Sequence, residues 1–129
     1  MSVDVWEPGK PSSVSTEQIV AVVEQARQVD IEQLKLNCDE AFATDHAWMM
    51  KLEESEWHLA EPLSAEDLVG LIRFFTLAEM QLQGWEAGSK NPVIYFVRML
   101  KSRGEFPPEL RKWVRANTDN RYLPNGAAL

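Results

Sequence analysis

The stretch Ser64–Leu82, SAEDLVGLIRFFTLAEMQL, decides the fold. Ser64 stands where a helix N-cap is wanted, with Asp67 at the capping-box position three residues on. At about 100° per residue, Leu68, Leu71, Ile72, Phe75, Ala78 and Leu82 share one helical face. Val69, Phe74, Leu77 and Met80 cover much of the remainder. A helix that is apolar nearly all round belongs at the centre of a bundle. Arg73 and Glu79 interrupt it, so it falls short of the roughly 18 uninterrupted apolar residues of a membrane span.

Further helices flank this one. Upstream, Ser15 and Gln18 have capping-box spacing, and Ile19, Val22, Val23 and Ala26 follow at helical intervals. Asp30 is placed to cap a second helix carrying Ile31, Leu34, Cys38 and Ala41 or Phe42 on one face. A third, over about 44–55, sets Trp48, Met49 and Leu52 on one side and falters before Pro62, because the residue before a proline avoids helical angles. Downstream, 84–89 is a loop, and Asn91 caps a helix with Pro92 at its first position. Val93, Phe96, Val97 and Leu100 point inward, and Gly104 ends it. A last helix begins near Pro108 and buries Leu110, Trp113 and Val114. The turn-rich tail from Asn117 to Gly126 is expected to tuck Tyr122 and Leu123 back onto the body.

No strand signal, internal repeat or low-complexity tract is present. The expected fold is all-α: a single compact bundle of five to six helices spanning 15–129, with a central apolar helix at about 65–82 and a C-terminal helical hairpin. Residues 1–14, with Pro8, Gly9 and Pro11, are expected to be a flexible arm on which Trp6 is a potential anchor. The length of 129 residues suits one domain with a real core, and one cysteine excludes an internal disulfide. Cys38 alone, no apolar run or basic start in Met1–Pro8, and no membrane span lead to the expectation of a cytoplasmic protein.

Charge is segregated along the chain. Residues 1–86 hold 17 Asp/Glu and 5 Lys/Arg, a balance of −12, whereas residues 87–129 hold 3 and 8, a balance of +5. The basic end either neutralises the acidic end inside one domain or offers a positive face to a partner. Arg111, Lys112 and Arg115 share the outer face of the last helix, and Ile94, Arg98 and Lys101 that of the helix before it. An exposed isoleucine beside cations suits either an acidic protein partner or an anionic polymer, and a protein partner could be a second copy of this chain. The leading expectation is therefore a small helical protein-binding module of adaptor or regulatory type. The hairpin over 92–117 also has the outline of a helix-turn-helix, which makes nucleic acid the alternative. The net charge of −7 opposes that reading, since phosphate is repelled unless the positive face is well shielded.

Other constellations point to no chemistry. Glu54, His58 and Glu61 could share a helical face, but the Glu-x-x-His spacing of a di-iron bundle is missing because residue 55 is serine. The loop around Lys90 has neither the glycine gap nor the Ser/Thr of a phosphate loop. An enzyme would need a site assembled from His46 or His58 with Cys38 or several carboxylates. No metal or cofactor is expected. Glu53, Glu54, Glu56 and Glu61 around Trp57 could engage a basic partner, although a solvated acidic face is far commoner.

Glu79 falls on the core face of the central helix, where a lone carboxylate is unfavourable. A buried ion pair with Arg98, Arg115 or Arg121 is expected. Arg73, on the opposite polar stripe with Glu66 and Thr76, is expected to reach water.

Overall fold

The computed structural model describes residues 14–124. It contains α1 (Thr16–Ala26), α2 (Glu40–His46), α3 (Ala65–Gln81), α4 (Val93–Ser102) and α5 (Pro108–Ala116). Short 3-10 helices occupy Ala47–Lys51, Glu54–Ala60 and Gly88–Lys90. No strand occurs among the described residues; Asp30 and Lys35 form an isolated antiparallel bridge. The expected arm lies outside the described residues, Trp6 included, except for Val14, which is buried.

α3 is the centre, as its pattern requires. It packs against α1 and α4 and touches α5. Ser64 Oγ accepts from Asp67 N at 3.1 Å and starts the helix. Leu68, Leu71, Ile72, Phe74, Phe75 and Ala78 have no exposed surface. Around them stand Trp57, Trp85 and Phe96, also wholly buried. Their rings meet edge to face: Trp57 with Phe96 at 5.2 Å, Phe74 with Phe75 at 5.3 Å, Phe74 with Trp85 at 6.0 Å. Each large apolar side chain contributes about 1.5–3 kcal/mol on burial, and each ring pair about 0.5–1.5 kcal/mol more. Trp85 also donates Nε1–H to the Ala43 carbonyl at 3.0 Å, which ties the loop after α3 to α2.

The segment 30–39 is not the expected helix. Asp30 Oδ1 accepts from Gln33 N at 3.0 Å, closing a turn instead of capping a helix. Leu34 and Asn37 take positive φ values of 55° and 53°, which end any helical path. Leu34 is exposed as a result, and Leu36 takes the core position. The stretch 44–55 likewise divides into the end of α2 and two 3-10 turns, separated at Leu52–Glu53 by extended backbone. Asn91 does cap α4: its Oδ1 accepts from Val93 N at 2.8 Å.

Candidate basic interface

The two C-terminal helices form a hairpin joined by residues 103–107, with Gly104 at φ 70° in the turn. Arg98, Lys101, Arg111, Lys112 and Arg115 are all exposed. Ile94 is not. It is 2% exposed, and Val93, Tyr95, Phe96 and Val97 beside it are buried as well. Five consecutive buried residues mean that the first half of α4 is enclosed on every side. Ile94 has the angular position expected of it, but depth along the helix axis, not angle, sets its burial. The expected apolar centre of the interface therefore does not exist there.

The remaining cations divide into two sets. Lys90 Nζ meets Glu53 Oε2 at 2.6 Å, and Arg98 Nη1 meets Glu54 Oε1 at 2.6 Å. The hydrogen bond to Glu53, with its charge, raises the Lys90 pKa. Burial, followed by the nearby Glu53 and Glu54 carboxylates, raises that of Tyr95. Arg103 donates to the Leu63 carbonyl at 2.9 Å and to the Glu61 carbonyl. These contacts fasten α4 to the acidic 3-10 segment. Arg111, Lys112 and Arg115, by contrast, have no carboxylate partner among the described residues.

Beside α5, Lys101 Nζ lies 5.6 Å from the centre of the Phe106 ring. Lys101, Phe106, Pro108 and Arg111 line a cleft of about 410 Å³. Phe106 was not among the residues singled out by sequence; only its position between two proline-flanked turns hinted at a fixed ring.

Glu79 makes no ion pair among the described residues. Its Oε2 accepts from Ala87 N at 2.8 Å and Gly88 N at 3.0 Å. Its Oε1 accepts from Asn91 Nδ2 at 2.9 Å and Asn120 Nδ2 at 2.9 Å. Neutral donors replace the expected arginine, because the loop after α3 folds back over the carboxylate and presents its amides. Four hydrogen bonds to one anion satisfy its lone pairs without a second buried charge. They bind α3, the 84–91 loop and the C-terminal tail into one unit, with Leu123 buried beyond. Nothing in the sequence pairs Asn120 with Glu79, since they are 41 residues apart.

Arg73 also departs from expectation. It is half-buried, its guanidinium lies 5.8 Å from the centre of the Trp113 ring, and its Nε has no acceptor. Thr76 is fully buried and donates to the Ile72 carbonyl at 2.7 Å.

The histidines do not converge on a nucleophile. His46 stacks on Phe42 at 4.0 Å, with Nδ1 against the Phe42 carbonyl at 3.0 Å. His58 Nδ1 lies 3.1 Å from Glu61 Oε2, in a cleft of about 280 Å³ shared with Glu54, Tyr95 and Arg98. Burial, followed by the neighbouring Asp39 carboxylate, raises the Cys38 pKa, the opposite of what a reactive thiolate needs. Among the described residues no group of three His, Cys, Asp or Glu side chains could hold a metal ion, and no helix is long and apolar enough to cross a membrane. No protein-family model matches the chain, and comparison with curated proteins and with solved structures gives no match.

Proposed function

We propose that the protein is a binding module that holds an acidic segment of a partner protein on the outer face of α5. The observation that carries this reading is the contrast in pairing. The chain matches Lys90 and Arg98 with its own glutamates, yet Arg111, Lys112 and Arg115, on one helical face, meet no carboxylate among the described residues. Cations held on a rigid helix attract and orient a partner of opposite charge, and contribute more to on-rate and specificity than to affinity. The cleft lined by Phe106 and Pro108 gives the same surface a modest apolar foothold. An acidic peptide carrying one apolar side chain fits both features.

Nucleic acid is the weaker fit. The exposed residues of α5 include Glu109 but no Asn or Gln to read base edges. Asn117 spends its amide on the Trp113 carbonyl at 2.8 Å.

Fluorescence anisotropy with two probes separates the readings: a labelled Glu/Asp-rich peptide containing one leucine, and a labelled DNA duplex. The peptide is expected to bind, with moderate weakening by salt. Reversal of Arg111, Lys112 and Arg115 to Glu is expected to weaken it at least about tenfold, or about 1.4 kcal/mol. Tighter binding of the duplex, with a steep salt slope abolished by the same reversals, would replace the protein-binding reading by the nucleic-acid one.

A further inference from the structure

A separate surface, on the opposite side of α3 from its packing with α4, carries a self-complementary pattern. Glu66, Val69, Gly70 and Arg73 lie at i, i+3, i+4 and i+7, and so share one face of α3. All four retain exposed surface, in a helix whose later residues Phe74 to Ala78 are buried. They line a groove of about 400 Å³ between α1 and α3, whose floor includes Val23, Ala26 and Ile31. Gly70 faces α1 across this groove: a Cβ there would stand in ordinary contact, 3.9 Å from Ala26 Cβ.

The charges at the two ends of this strip are open. Glu66 has no partner among the described residues. Arg73 has a ring contact with Trp113 but, among the described residues, no carboxylate, and its buried Nε has no acceptor there. The neighbouring Asp67 is already engaged by Arg27 at 3.2 Å, so it does not compete for Arg73.

We infer that this face is the contact between two copies of the chain, packed as antiparallel α3 helices about a two-fold axis midway between Val69 and Gly70. Such an axis places residue 66 of one copy opposite residue 73 of the other, twice over. It also sets each Val69 against the partner copy's Gly70, a side chain opposite a gap. Two-fold contacts demand a surface complementary to itself. A Glu and an Arg seven positions apart, about 10.5 Å along the axis, with Val-Gly between them, meet that demand in charge and in size. Antiparallel alignment also sets the two helix dipoles head to tail. The inference does not use the α5 cations, although Arg73 itself packs on Trp113 of α5.

Sedimentation equilibrium of the full chain, from about 1 µM to about 1 mM, tests it. The wild-type chain is expected to form a dimer in that range. Glu66→Arg and Arg73→Glu each place like charges in opposition twice, and each is expected to leave a monomer of native helicity by circular dichroism. Combining the two exchanges the charges, and is expected to restore the dimer. Glu66 is exposed, so its reversal leaves the monomer folded and reads association alone. A wild-type chain that stays monomeric throughout, a dimer indifferent to either reversal, or a double variant that stays monomeric overturns the inference.

Discussion

α4 and α5 both carry arginine and lysine on an exposed face, but those cations do different work. On α4, Arg98 reaches Glu54, and the loop before it gives Lys90 to Glu53; with Arg103 on two backbone carbonyls, this face is a seam within the protein. On α5, Arg111, Lys112 and Arg115 meet no carboxylate among the described residues. The segregation of charge along the chain is thus partly architectural and partly left open. A run of basic residues does not distinguish the two; only what lies across from each cation does.

The comparison breaks most sharply at Ile94. Ile94→Asp forces an unpaired carboxylate into a site that is 2% exposed, and is expected to cost about 4 kcal/mol or more. Arg111→Asp, one helix later and exposed, is expected to stay within about 0.5 kcal/mol of the parent. Urea denaturation of both variants checks the difference; equal, small effects would return Ile94 to the surface.

Glu79 ties α3 to the loop before the hairpin and to the tail after it, and its loss is the next largest effect. Glu79→Ala leaves four N–H donors without their acceptor and is expected to cost about 2–3 kcal/mol, moderated by water entering a half-buried site. Hydrogen exchange at the Ala87 and Gly88 amides should quicken in the same variant. Unchanged exchange there would mean that the carboxylate does not hold the loop.

The smallest effect sharpens the contrast between the two helices. Arg98→Glu is expected to cost only about 0.2–1 kcal/mol, because its pair with Glu54 is half-exposed and solvent screens it. Adding Glu54→Arg should recover the loss. No such recovery is expected for Arg111→Glu, because Arg111 has no carboxylate to exchange with among the described residues. A double-mutant cycle that finds no coupling between positions 54 and 98 would remove the distinction drawn between the faces.

Strong periodicity made some elements legible. α3, α4 and α5 were readable because their apolar residues recur over several turns and their ends carry Ser64, Asn91 and Pro108. The exposure of Arg111, Lys112 and Arg115 followed from the same phase. The region 30–55 was not legible. Its pattern spans too few turns to outweigh Asp30 and Asn37, whose short polar side chains bond the backbone locally, Asp30 to Gln33 N and Asn37 to the Gln28 carbonyl. Ile94 and Arg73 were misread in exposure and Glu79 in its partner, since periodicity along one helix does not say what the rest of the chain brings to cover it.

The sequence by itself determined that this protein is helical, that α3 is its apolar centre, and that its charge divides between an acidic and a basic portion. Periodicity and composition are local properties, and the chain carries them wherever it folds. The tertiary structure alone decided that Ile94 is enclosed, that Glu79 rests on amides instead of a guanidinium, and that Arg98 meets a glutamate while the α5 cations meet no carboxylate among the described residues. Those outcomes depend on contacts between residues as much as 44 positions apart, as in Arg98 with Glu54, and electrostatic pairing falls off within a few ångströms. Only the folded path sets that distance.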